Sequence, residues 1–355
     1  MVGSDGQLPL PWLDEPLQRG LRQAAHALLI FGPSGVGQFE LGLGLAQAWL
    51  CEGSDAERAE GRACGACRSC RLFQVRSHPD LLVMLPEALR ESLDWGAAGG
   101  EGDDAAADKS GKGKASKEIK VEAVRTAVAF AQTTSARGRG KVVVLHPAER
   151  MNAIAANTLL KTLEEPPGDA RFVLSSAAPD ALLPTIRSRC QALRLALPDR
   201  AAAIQWLTTQ GVPEAGVLLA ACGGQPLEAL EWHAEGIDGK LWPRVPALLA
   251  RGESAPFMNW PLPRLVGTLQ KVCHDALSVS VGASPRYFPA GSVRPARQET
   301  LTDWARELRR ISQDVEHPWS AGLMVEALVG SARNALASTV LSERRAEGKS
   351  LHLPA

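Results

Sequence analysis

Read for apolar and polar positions, the chain changes character near Pro198. Before that point apolar runs of strand length recur: HALLIFG (His26 to Gly32), LLVML (Leu81 to Leu85), KVVVL (Lys141 to Leu145) and ARFVLSS (Ala170 to Ser176). Between them lie stretches of helical spacing, Ile119 to Ala131 and Asn152 to Leu163, the latter placing Ala156, Leu159, Leu160 and Leu163 on one face. A strand that is apolar throughout, instead of at every second position, is buried on both faces. Alternation of such strands with helices predicts an α/β fold, a parallel sheet covered by helices on both sides.

After Pro198 the strand-like runs stop and helical stretches follow: Arg200 to Gln210, Ala215 to Cys222, Pro226 to His233, then longer amphipathic segments. Pro and Gly clusters at Cys222 to Pro226 and Ser284 to Pro295 mark joints or loops. The expected organisation is an α/β domain over 1–196, a small helical domain over 197–238 and a helical domain over 239–355. From Trp95 to Lys117 the composition turns to Gly, Ala, Asp, Lys and Ser, which bury too little to offset ordering, so 95–117 is expected to be a disordered surface insertion. Its lysines Lys109, Lys112, Lys114 and Lys117, with Lys120 beyond, read as a solvated charge run rather than as phosphate ligands.

Composition narrows the function. The chain has 355 residues, 45% hydrophobic and 22% charged, with 39 Lys and Arg against 39 Asp and Glu. Zero net charge argues against a surface that is basic throughout, so any nucleic-acid contact is local or shared; Arg137, Arg139 and Lys141 are weak candidates. No run of about 18 apolar residues is present, and the N-terminus lacks a basic segment followed by a long apolar one, so neither membrane spanning nor secretion is expected. The expected location is the cytoplasm, where seven cysteines are reduced or metal-bound.

Gly32-Pro33-Ser34-Gly35-Val36-Gly37-Gln38-Phe39 follows the first strand and leads into a helix. Its spacing is that of the phosphate loop G-x-x-x-x-G-K-[ST], whose backbone N–H groups cradle phosphates while the Lys neutralises them and the hydroxyl binds magnesium. Here the Lys position is Gln38 and the hydroxyl position Phe39. An amide supplies no positive charge and a phenyl ring no ligand. The KVVVL strand, which in a working ATPase ends in an acidic pair, runs instead into His146-Pro147; His146 is expected to be a strand-end histidine with a satisfied ring. Gly32, Gly35 and Gly37 therefore outline a degenerate loop, and no functional ATP or magnesium site is expected.

Cys64-x-x-Cys67-x-x-Cys70, with Cys51 upstream, supplies four thiols. Zinc favours four thiolates in a tetrahedron, and a closed site of this kind is structural because no ligand position remains for water. Arg58, Arg62, Arg68 and Arg71 are placed to offset its negative charge. An iron–sulfur centre or a redox-active C-x-x-C pair could use the same residues.

Taken in order, GPSGVGQ, CGACRSC, SHPDLLVM, NTLLKTLEEPP and TIRSRCQALRL resemble the delta-prime family of bacterial DNA polymerase III clamp-loader subunits, of the AAA+ class. The motifs cover the chain to about residue 235; beyond that the resemblance rests on position and helical class. It implies a hetero-pentamer with delta and gamma/tau subunits that opens a sliding clamp and places it on primed DNA, as part of the polymerase holoenzyme. It also implies that Cys51, Cys64, Cys67 and Cys70 hold zinc, and that Arg189 of Ser188-Arg189-Cys190 acts in trans as an arginine finger at a neighbour's ATP site. Leu227 stands where active relatives carry a nucleotide-sensing arginine, and the helical parts become a lid (197–238) and a collar (239–355). Two other readings stay open: an active ATPase of the gamma/tau type with an unorthodox loop, and a zinc-dependent DNA-binding regulator.

Overall fold

A computed structural model describes residues 2–4, 6–93, 95, 115–313 and 321–337. They fall into two compact units that divide between Ala202 and Ala203.

The first unit is built on five strands, β1 (Ala27–Phe31), β2 (Leu81–Met84), β3 (Lys141–Leu145), β4 (Ala170–Ser176) and β5 (Gln191–Arg194), in the spatial order β2-β3-β4-β1-β5. All pairings are parallel, with Leu29 opposite Leu174 and Val144 opposite Val173. Successive side chains leave opposite faces, and both faces are covered. Helices α1 (Asp14–Leu21) and α2 (Gln38–Leu50) lie on one side, where Gly42 of α2 sits against Ile30, Val144 and Val173. After α3 (Arg68–Gln74) and the short α4 (Glu87–Arg90) come the helices of the other side, α5 (Val121–Gln132), α6 (Ala153–Glu164) and α7 (Pro184–Arg187). There Leu29, Val143, Leu145, Phe172 and Leu174 share a buried cluster with Val124, Leu159, Leu163 and Ile186. Two covered faces are the reason β1, residues 142–145 of β3 and residues 172–174 of β4 read as continuous apolar runs. The edge strand β5 escapes the pattern because only Leu193 of its four residues is buried.

From Ala203 the second unit holds the rest of α8 (Arg200–Thr209), then α9 (Ala215–Ala221), α10 (Pro226–Ala234), α11 (Val245–Arg251), α12 (Leu262–Ser280), α13 (Gln298–Gln313) and α14 (Ala321–Leu336). The ranges expected as a 197–238 domain and a 239–355 domain share one buried cluster that runs from Ala203 to Ala335. At its centre Trp242 stacks on Phe288 with ring centroids 4.5 Å apart. The fully buried Asp275 carboxylate accepts from the backbone N–H groups of Arg286, Tyr287 and Phe288 at 2.8–2.9 Å, which ties the loop before α13 to α12.

The insertion expected at 95–117 is corrected at both ends. Trp95 is buried, edge-on to Phe39 at 6.2 Å and beneath the Arg76 guanidinium at 5.2 Å. An indole offers enough apolar surface to be held even beside a polar tract. At the far end Ser116 is tied to Glu87, its N–H donating to the Glu87 carboxylate at 3.1 Å. Residues 96–114, and with them Lys109, Lys112 and Lys114, lie outside the described residues.

Candidate functional site

Helix α2 connects the two motifs of the first unit: the glycine-rich turn precedes its first residue and Cys51 follows its last. The turn needs its glycines for shape. Gly37 has φ 103°, and a Cβ there would lie 2.6 Å from Leu10 Cδ1; a Cβ on Gly32 would lie 1.9 Å from the carbonyl oxygen of Leu195. Gln38, only 5% exposed, turns its amide onto the turn itself, Nε2 donating to the Gly32 carbonyl at 3.0 Å and to that of Pro33. Trp12 closes the turn from outside, its Nε1–H donating to the Val36 carbonyl at 2.9 Å. Phe39 is buried and faces the His146 ring at 5.0 Å.

His146 is the satisfied strand-end histidine expected from the sequence, with Nδ1 2.8 Å from Ser175 Oγ. Burial pushes its pKa down to about 4, so the ring is neutral at pH 7. Where a phosphate loop and its acidic strand end would gather charge, this unit gathers an amide, a phenyl ring and a neutral imidazole.

At the other end of α2 the four predicted cysteines come together. Their sulfurs all lie within 4.8 Å of one another, with Cys51 to Cys64 at 3.6 Å, Cys51 to Cys67 at 3.9 Å and Cys64 to Cys70 at 4.0 Å. Sulfurs on a zinc tetrahedron with Zn–S of about 2.3 Å stand about 3.8 Å apart, so the cluster fits a single ion. Backbone N–H groups point at the sulfurs: Gly53 and Cys64 donate to Cys51, Cys67 to Cys64 and Cys70 to Cys67, at 3.3–3.4 Å. Pairing with the Cys70 thiol, opposed by burial and helped by these donors, draws Cys51 down to about 4, while the same pairing and burial push Cys70 up.

The arginines expected to offset the cluster are used otherwise in two cases. Arg58 donates to the carbonyls of Ala48 and Gly61, capping the end of α2, and Arg62 pairs with Asp14 at 3.2 Å. A hydrogen-bonded chain then ties the cluster to the sheet. Ser69 Oγ donates to the Leu50 carbonyl at 2.6 Å and meets His78 Nε2 at 2.6 Å, and His78 Nδ1 accepts from the Asp80 N–H at 3.1 Å. The fully buried Asp80 carboxylate accepts from Ser135 Oγ, from the N–H groups of Ala136 and Arg137, and from Lys141 Nζ. Burial alone would raise the Asp80 pKa, but these donors outweigh it and hold it below the usual carboxylate range.

This network corrects two of the candidate DNA contacts. Arg137 is paired with Glu52 through both Nε and Nη2, at 2.6 and 2.7 Å, and Lys141 is buried on Asp80 and over the Phe130 ring. Neither side chain is presented to an external phosphate.

Arg189 lies between α7 and β5. Its backbone N–H donates to the Ile186 carbonyl, and its guanidinium reaches back to the end of α6, with Nε donating to Glu164 Oε1 at 2.6 Å, Nη2 to the same oxygen, and Nη1 to the Thr185 carbonyl at 2.9 Å. Glu164 belongs to the LEEPP motif but carried no assigned role in the sequence. The signal was present: two consecutive acids at a helix C-terminus stand against the helix dipole and call for a cation nearby.

A family model described as DNA polymerase III, delta subunit, matches residues 13–199, more than half of the chain. The DNA polymerase III subunit delta' of Escherichia coli is 32% identical over 293 residues, covering 76% of this chain and 78% of that one. The chain belongs to the delta-prime family of DNA polymerase III subunits. The subunit delta' of Pseudomonas aeruginosa is 39% identical over 223 residues, which span 61% of this chain and 58% of the relative. Among solved structures, a DNA polymerase III gamma subunit-related protein from Thermotoga maritima is 15% identical with a TM-score of 0.48, over 90% of this chain and 98% of that one. No helix among the described residues is long and apolar enough to cross a membrane.

Proposed function

We propose that the chain is the non-hydrolysing delta-prime member of a cytoplasmic clamp loader, which places a sliding clamp on primed DNA during replication. In this reading it joins delta and gamma/tau subunits in a hetero-pentamer, as a component of the DNA polymerase III holoenzyme, with 197–238 as lid and 239–355 as collar. Cys51, Cys64, Cys67 and Cys70 hold a structural zinc ion that fixes the segment after α2. The observation that carries the reading is the state of the turn at Gly32, Gly35 and Gly37. Gln38 and Phe39 occupy the positions of the phosphate-neutralising and magnesium-binding side chains, and both are spent on contacts within the chain.

A subunit that cannot cleave ATP can still act on a neighbour's ATP. A rigid guanidinium placed against a transferring phosphoryl group stabilises its developing charge, and that contact forms only when two chains close on each other. Arg189 is the residue assigned to this role, so that the neighbour's nucleotide state becomes interface geometry.

The test uses the isolated chain and the complex reconstituted with delta and the ATPase subunits of the same organism. The isolated chain is expected to show no ATP turnover above background. In the complex Arg189→Ala is expected to lower turnover at the site it serves about a hundredfold or more without preventing assembly. Turnover by the pure chain, or unchanged turnover in the Arg189→Ala complex, refutes the reading.

A further inference from the structure

The guanidinium of Arg189 is already engaged. Two of its nitrogens donate to Glu164 and the third to the Thr185 carbonyl, all within one chain. Three of the five N–H donors are taken, and the Nε–Nη2 edge, which grips an anion in bidentate fashion, is held by Glu164. A phosphate taken on that edge requires that Glu164 be let go.

The pair is built so that this can happen. Ile186 is fully buried and α7 is anchored on the α6 side of the sheet, so the Arg189 backbone stays fixed while its side chain is free to turn. The Arg189 and Glu164 side chains are 29% and 46% exposed, which leaves the contact weak and open to a competing anion. Phosphate oxygens compete for a bidentate guanidinium with the same geometry as a carboxylate and with more charge.

Glu164 has no local reason to be acidic. It is the last residue of α6, where a carboxylate faces the negative end of the helix dipole, and Glu165 and Pro166 follow it. Leu159 and Leu163 of the same helix are buried, so α6 is held by its apolar face and needs no help from this side chain.

We propose that Glu164 is a positioning residue for Arg189, a latch that keeps the guanidinium on its own chain until a nucleotide phosphate of a neighbouring subunit displaces it. The proposal rests on the reading of Arg189 as a finger and adds a competitor to it. The latch competes with the neighbour's phosphate for the guanidinium and lowers the fraction of open fingers, so the turnover that the finger supports is restrained.

The reconstituted complex tests the latch and the finger separately. The difference in turnover between wild type and Arg189→Ala defines the share that the finger supports. Glu164→Gln is expected to raise that share roughly two- to fivefold in the absence of DNA, the factor expected from releasing one half-exposed ion pair. Glu164→Asp, which keeps the charge, is expected to return towards wild type, and Glu164→Gln in the Arg189→Ala background to change nothing.

In the full-length chain labelled with 15N-arginine, the Arg189 Nε–H signal should lose its protection from solvent exchange on Glu164→Gln. If Arg189→Ala has no effect, the finger reading fails and the latch with it. If Arg189→Ala lowers turnover while Glu164→Gln leaves it unchanged or lowers it too, the finger stands and the latch is overturned.

Discussion

At its N-terminal end α2 emerges from a glycine-rich turn to whose carbonyls the amide of its first residue, Gln38, is bonded; at its C-terminal end it runs into Cys51, whose sulfur faces three others. Both ends carry a sequence motif with a known ligand. At the first, the side chains that would meet a ligand are partnered within the chain or buried in an aromatic contact. At the second, four groups that ionise to the same charge converge on a point, and the negative end of the helix dipole adds to the demand for a cation there. The difference lies in whether the polar atoms of a motif are already satisfied, and motif spacing does not report it.

The sharpest way to break this comparison is to withdraw the ion. With structural zinc in place, a strong chelator or Cys70→Ser is expected to lower Tm by on the order of 10 °C, because a buried ligand set then holds unneutralised sulfur. Metal analysis and thermal melts check it. A metal-free protein whose melting ignores chelator would put the two ends of α2 in the same class.

The opposite end predicts a pH dependence. His146 is neutral in the folded chain because burial holds its pKa near 4 against the ordinary 6.5. Its contribution is fully present above pH 6.5 and is lost as pH falls from there towards 4, where the unfolded chain binds a proton that the folded chain refuses. The loss reaches about 3 kcal/mol by pH 4. His146→Phe should retain the stacking on Phe39 and flatten the fall in stability between pH 6.5 and 4 in denaturant titrations.

The smallest effect is expected at Gln38. Gln38→Leu removes the amide from the Gly32 and Pro33 carbonyls and should cost about 1–3 kcal/mol of stability, read as a shift in denaturation midpoint. If the amide instead serves a bound nucleotide, the same substitution leaves stability alone and weakens binding of nucleotide by the isolated chain.

Much of this was legible in the residues. The strands at β1, β2, β3 and β4 and the helices α8 to α10 follow from runs and spacing, and the four cysteines follow from their intervals. Arg137 and Lys141 were misread because a basic side chain looks exposed until the acids facing it are known, and Glu52 and Asp80 lie far from them in sequence. Trp95 was assigned with the polar residues after it, since composition averages over a window while burial is decided one side chain at a time. Glu164 sat in a motif that was read for its family and not for its charge.

The amino-acid order by itself determined which chemistry the glycine-rich turn lacks, because a missing lysine and hydroxyl cannot be restored by folding. It also determined which four thiols cluster and the burial of both sheet faces, because thiol spacing and apolar runs are local properties of the chain. Only the tertiary structure decided what each charged side chain is bonded to. An ion pair is set by distance in space, and Arg189 and Glu164, 25 positions apart, meet because α6 and α7 pack on one face of the sheet.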